Sequence, residues 1–143
     1  MREPYTQLYI HLVWATWDRM PVLTEALRPR IYGCIREQCE MLNAKLIAIG
    51  GTDNHLHTLV RIPSTVAVAA LVKQMKGASS HLVNHELGVS DAFKWQGAYA
   101  AFSVSKSLGP AVRSYILRQA EHHREGTTEK DLEIAWVEKE PGE

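Results

Sequence analysis

An antiparallel sheet carrying helices, an α+β fold, is what this chain of 143 residues predicts. Short segments of alternating apolar and polar residues are interleaved with longer ones whose apolar positions recur about every 3.6 residues. Gly and Pro pairs punctuate the chain where elements should end. The order strand, helix, strand, strand, helix, strand also suits helices segregated to one side of a sheet.

Leu8–Thr16 alternates, with Ile10, Leu12 and Trp14 on one face and Tyr9, His11 and Val13 on the other, so it reads as a strand. Trp17–Pro21 is a polar connection that ends in proline. Thr24 is placed to cap a helix, Glu25 suits its first turn, and Leu27, Ile31, Ile35 and Leu42 keep helical spacing. Lys45–Ile49 is a short strand, with Gly50-Gly51 read as the turn after it. His55–Ile62 is the next strand, closed by Pro63-Ser64. A second helix is expected from Thr65 to about Leu87, with Gly88 as its cap. Phe93–Ser105, rich in aromatic and β-branched residues, reads as a strand or hairpin. Gly109-Pro110 opens a last helix, which runs to about Arg124 and ends at Gly126. The series βαββαβ is that of a ferredoxin-like sandwich with two helices on one sheet face. The C-terminal helix is additional, and the other face is there for it to cover.

One domain over residues 1–126 and an acidic tail over 127–143 account for the length. No apolar run approaches the roughly 18 residues that cross a bilayer, and the N-terminus does not read as a signal peptide, so a cytoplasmic location without membrane contact is expected. Cys34 and Cys39, five apart on a helix, are expected to be reduced. Net charge is zero, which argues against a strong nonspecific grip on nucleic acid. The zero conceals an asymmetry: residues 1–124 hold 14 Lys and Arg against 9 Asp and Glu, and residues 125–143 hold 2 against 7. The tail is read either as a solvated end or as a cover for a basic groove.

Two segments carry chemistry. On the strand 55–62, His55, His57, Leu59 and Arg61 share one face, which places two imidazoles side by side. Such a pair suits a shared ion, although His-x-His alone is equally the pattern of packed or surface histidines. On the last helix, Tyr115 and Gln119 lie one turn apart, and His122 follows on the same face. Gln119 could complete a two-histidine metal site with a neutral oxygen. Tyr115 could be a nucleophile if a cation favours its phenolate, or simply a core residue.

Together these segments resemble the HUH single-strand DNA transposases with one catalytic tyrosine, the small insertion-sequence enzymes that include the REP-associated tyrosine transposases. The resemblance rests on Tyr9-Ile-His-Leu-Val-Trp-Ala-Thr, Asn54-His-Leu-His-Thr-Leu-Val, Val72-Lys-Gln-Met-Lys-Gly, Trp95-Gln-Gly-Ala-Tyr-Ala-Ala-Phe-Ser-Val-Ser and Tyr115-Ile-Leu-Arg-Gln-Ala-Glu-His-His-Arg. These stretches lie in family order over residues 9–124.

The resemblance implies that His55, His57 and Gln119 bind Mg²⁺ or Mn²⁺ and that Tyr115 attacks the scissile phosphate of single-stranded DNA. The products would be a 5′-phosphotyrosine and a free 3′-OH. It also implies recognition of subterminal DNA hairpins and a homodimer. His11, on a strand expected beside 55–62, and His122 are candidates for the surrounding shell. Arg19, Arg61, Lys73, Lys76, Arg113 and Arg118 are the main cations available for DNA, and Trp17 and Trp95 are candidates to stack unpaired bases. Two other functions fit the same residues. One is a noncatalytic, domesticated regulator that binds hairpins. The other is a metal-dependent phosphodiesterase that uses water.

Overall fold

A computed structural model describes residues 4–89 and 91–119. The expected architecture is present: β1 (Tyr9–Ala15), α1 (Arg28–Met41), β2 (Lys45–Gly51), β3 (His55–Arg61), α2 (Val68–His81), β4 (Ala100–Val104) and α3 (Gly109–Leu117). The four strands form one sheet in the order β2-β3-β1-β4, every neighbouring pair antiparallel. Helices α1 and α2 pack together on one side, where they and the sheet enclose Leu12, Trp14, Ile31, Ile35, Leu56, Val60, Leu71 and Met75. Helix α3 packs on β2 and β3 through a smaller cluster of Ala48, Leu59, Val112 and Ile116. Leu56 and Val60 thus belong to the first layer and Leu59 to the second, as strand alternation requires.

Besides the start of α1, which lies at Arg28 with Thr24 Oγ1 accepting the Leu27 N–H at 3.2 Å in the turn before it, three boundaries differ from the sequence reading. Gly50 and Gly51 are not the turn: β2 runs through both, and the chain reverses over Thr52–His55, where Thr52 N–H donates to the His55 carbonyl at 3.0 Å. Crowding is the reason for glycine here. A Cβ at Gly50 would lie 2.0 Å from the Ile116 carbonyl oxygen, and one at Gly51 would lie 2.3 Å from that of His55. Second, the helix expected from Thr65 starts at Val68. It continues as a wide π-type turn over Leu82–Glu86 and ends at Gly88, whose φ is 61°.

Third, only Ala100–Val104 of the 93–105 segment is a strand, apart from a single bridge between Trp95 and Thr16. Side chains satisfy much of the backbone of 93–99. Asn84 both donates to the Phe93 carbonyl and accepts its N–H, at 2.9 Å each, and Lys76 donates to the Gln96 and Ala98 carbonyls. The last helix is described only to Gln119, so its expected course to Arg124, His122 and the tail 127–143 lie outside the described residues. Among the described residues, no helix is long and apolar enough to cross a membrane.

Both cysteines are free thiols. Cys39 is wholly buried against Met75, and burial pushes its thiol up to about 11. Alkylation of the native protein at pH 8 should therefore label the half-buried Cys34 first and leave Cys39 protected until denaturant is added. Equal labelling rates, read by mass spectrometry, would contradict this packing.

Candidate active site

The two sheet faces are chemically unlike. Toward α1 and α2, β3 presents Leu56, Thr58 and Val60; toward α3 it presents His55, His57 and Leu59. Strand β1 adds His11 to the α3 side, since its Nε2 lies 2.8 Å from His57 Nδ1. The two rings stack with centroids 5.1 Å apart and planes 26° apart. His11, one of the expected surrounding residues, therefore touches His57 directly, with Phe102 of β4 against its ring at 5.7 Å.

His55 is held from the hairpin turn. Its Nδ1 lies 2.9 Å from Asn54 Oδ1 and 3.0 Å from Thr52 Oγ1. An amide oxygen only accepts, and of the two amide oxygens that the ring faces Asn54 Oδ1 is the nearer, at 2.9 Å against 3.3 Å for Gln119 Oε1, so the single proton of the neutral ring is assigned to Nδ1. Nε2 then carries the lone pair, and 3.3 Å from it stands Gln119 Oε1. The Gln119 amide is oriented by its own Nε2, which donates to the Tyr115 carbonyl at 3.4 Å. Tyr115 itself is only 7% exposed, and its ring meets His57 edge-on at a centroid distance of 6.0 Å and an angle of 75°. The structure thus brings His55, His57, Tyr115 and Gln119, with His11 behind them, into one buried group.

These residues fit a divalent cation. With the proton on Nδ1, His55 Nε2 and Gln119 Oε1 present lone pairs to one another, and a shared cation relieves that opposition. Both histidines have Nδ1 engaged within the protein, the usual support for an imidazole that ligates through Nε2. Among the described residues no three His, Cys, Asp or Glu side chains gather as metal ligands, so the third protein ligand here would be the Gln119 amide. Sequence reasoning missed Thr52, the part played by Gly50 and the contact that Asn54 makes with His55. The polar turn immediately before His-x-His was the available signal for Asn54.

The expected cations do not form one groove. Lys73 and Lys76 are on α2, across the sheet from α3, and Lys76 is largely committed to the 93–99 carbonyls, where burial holds its ammonium below the ordinary lysine value. Arg61 donates to the Thr6 carbonyl at 2.8 Å, at the end of β3 away from His55, about 20 Å off by strand rise. Arg19 is half-buried in a left-handed turn at φ 50°. Arg113 and Arg118 are exposed on and just after α3. What the fold does assemble is a cavity of about 420 Å³ between α2 and the 93–99 segment, lined by Lys73, Lys76 and Lys94 over Phe93, Trp95 and Tyr99. Trp95 is core, its Nε1 donating to Ser79 Oγ at 2.9 Å, whereas Trp17 is 52% exposed with Lys94 Nζ 4.0 Å above its ring.

Comparison with known proteins assigns the family. Residues 4–119 match the family described as IS200-like transposases, and the chain belongs to it. It is 25% identical over 122 residues to the transposase for insertion sequence element IS200 of Salmonella typhimurium, covering 81% of this chain and 79% of that one; the Salmonella typhi protein matches equally. The fold is shared with a crystal structure of a transposase candidate from Deinococcus radiodurans R1, at 22% identity and a TM-score of 0.65, covering 81% of this chain and 93% of that one. It is also shared with a REP-associated tyrosine transposase bound to a REP hairpin, at 13% identity and a TM-score of 0.64, covering 90% of this chain and 74% of that one.

The site's hydrogen bonds make one spectroscopic prediction. In ¹⁵N spectra of the metal-free protein near pH 8, the His55 ring should show the tautomer protonated on Nδ1. A predominant Nε2–H form would mean that Asn54 does not set the ring.

Proposed function

We propose that this transposase-family protein cleaves and rejoins single-stranded DNA through Tyr115, with a divalent metal, Mg²⁺ or Mn²⁺, held by His55, His57 and Gln119. The observation that carries the reading is the meeting of these four side chains, from two distant parts of the sequence, in one buried group. When bound, the metal would supply charge withdrawal at the scissile phosphate. The protein's own residues do the rest. Asn54 and Thr52 keep the His55 lone pair directed at the site, His11 orients His57, and α3 carries the nucleophile. The Tyr115 oxygen loses its proton and forms a bond to phosphorus. The bond from phosphorus to the 3′ oxygen breaks, and that oxygen takes up a proton as a free 3′-OH. The 5′ end stays on the tyrosine, so the phosphodiester energy is kept and the reverse step needs no nucleotide cofactor.

The DNA partner is proposed to be a strand with subterminal hairpins, in line with the hairpin bound by the REP-associated relative of similar fold. We assign its noncatalytic grip to the cavity between α2 and 93–99, where three lysines rim an aromatic floor. A homodimer is the proposed working form; β4, a five-residue strand at the edge of the sheet among the described residues, offers backbone on which a shared sheet can be built.

The test is to incubate the protein with labelled single-stranded DNA from the flanks of its own gene and Mn²⁺. A denaturant-stable protein–DNA band should form, and Tyr115→Phe should abolish it. Binding without a band would leave the noncatalytic hairpin regulator, and two free DNA ends with Tyr115→Phe still active would leave the water-using phosphodiesterase. His57→Ala should remove cleavage while hairpin affinity stays within about twofold; equal loss of both would mark the histidine as structural. Lys73→Glu, exposed on α2, should weaken binding to all hairpins and lower the slope of log affinity against log salt by about one; an unchanged slope would remove the α2 cavity from the DNA path.

A further inference from the structure

The place where α3 meets the sheet is set by an absence of side chain. Gly50 on β2 is paired directly with His57 on β3, so the two positions share the sheet face that α3 covers. The Ile116 carbonyl oxygen occupies the space a side chain at position 50 would take. An ideal Cβ there lies 2.0 Å from that oxygen, 3.0 Å from its carbon and 3.5 Å from Ile116 Cγ2. The obstacle is helix backbone, which cannot rotate away as a side-chain tip can. Ile116 itself is wholly buried, and it sits between Tyr115 and the turn that carries Gln119.

We infer that Gly50 is the positioning residue of the tyrosine helix: its bare Cα is the notch that seats α3, and the depth of that seat fixes how far Tyr115 and Gln119 stand from His57 and His55. The inference rests on the proposed roles of Tyr115 and Gln119 for its catalytic consequence and on the packing alone for its structural one. Restoring ordinary contact, at 3.4 Å or more, requires the helix to lift by at least about 1 Å. Gln119 Oε1 already stands 3.3 Å from His55 Nε2, so a lift of that size parts them. Gly51 provides the contrast. It is paired with Leu56, and its Cβ would strike the His55 carbonyl and the Leu56 side chain, within its own hairpin and not on α3.

Gly50→Ala, Gly51→Ala and Ile116→Ala in the full chain separate these effects, with Gly33→Ala, which has open space around it, as a control. Hydrogen exchange read by mass spectrometry needs neither DNA nor metal. In Gly50→Ala, amides of 109–119 should exchange at least about tenfold faster while those of β1 and β3 hold the wild-type rate. Ile116→Ala leaves that carbonyl in place but removes the buried side chain that holds it against Gly50, so it should give the same selective release and keeps the inference testable if Gly50→Ala does not fold. Mn²⁺ affinity should fall about 10- to 100-fold and adduct yield about 100-fold in Gly50→Ala. Unchanged exchange over 109–119, or faster exchange spread across β1 and β3 as in Gly51→Ala, would overturn the positioning role. Selective release of α3 in a protein whose wild type makes no adduct would keep the seat and reject the proposed chemistry instead.

Discussion

Polar side chains sealed between a helix and a sheet must find their partners there, and the α3 side of this molecule is organised by that constraint. Burying an amide or hydroxyl without a hydrogen bond costs about 1–3 kcal/mol by mutational measures. His11, His55, His57 and Gln119 are all within 2% of full burial. Each has an identified contact: ring to ring for His11 and His57, the turn side chains for His55, the Tyr115 carbonyl for Gln119. These contacts also remove rotational freedom. A ring whose Nδ1 is tied can present only Nε2, and an amide whose NH₂ is tied can present only its oxygen. Satisfaction of buried groups and orientation of the candidate ligands are therefore the same set of hydrogen bonds.

The division of labour between sheet faces makes such a polar layer tolerable. The face toward α1 and α2 holds most of the apolar core, including the fully buried Trp14, Leu12 and Leu56. Stability that comes mostly from that side leaves the other face free to carry imidazoles in place of packing. Among the described residues, the small apolar cluster under α3 seats its Gly109–Leu117 stretch, and it offers little else to hold that stretch if the contact at Gly50 is spoiled. A helix held by few apolar contacts is the kind of element whose position one backbone atom can decide.

What the sequence disclosed follows from which signals are local. Two histidines at i and i+2 in an apolar run, and Tyr115 and Gln119 at i and i+4, each fix a shared face from spacing alone. The extra helix had only one sheet face left to cover, so their convergence was readable too. Gly50-Gly51 was misread because a glycine pair has one composition and two uses: a turn, or a strand that another backbone must approach. The second depends on Ile116, 66 residues away in the chain. The 93–99 segment was misread for a similar reason. Its aromatic content suggested a full strand, but its backbone pairs only around Trp95, with Ala15–Trp17, and is otherwise held by the side chains of Asn84 and Lys76. Which side of the sheet each basic residue takes was not readable, because spacing along the chain says nothing about the face on which a helix packs.

The two proposed regions are less separate than their positions across the sheet suggest. Thr16, just after β1, donates its N–H to the Asn54 carbonyl at 2.9 Å and its hydroxyl to the Met20 carbonyl at 2.7 Å, with the Asn54 oxygen a longer 3.2 Å from that hydroxyl. It is also the bridge partner of Trp95, while Trp17 N–H donates to the Lys94 carbonyl. Lys94 and Trp95 line the α2 cavity, and Asn54 holds His55. One short run, Thr16-Trp17, therefore ties the wall of the proposed DNA cavity to the turn that orients a proposed metal ligand, at the same end of the sheet. Under the proposed function, a DNA strand held at Lys73 and Lys94 would leave the cavity past the exposed Trp17 ring and come to the His55 end of β3 around the end of the sheet, without crossing its core. That arrangement would give a physical reason for the proposed grip to lie across the sheet from Tyr115: it would stay clear of the scissile phosphate, at a distance set by backbone hydrogen bonds.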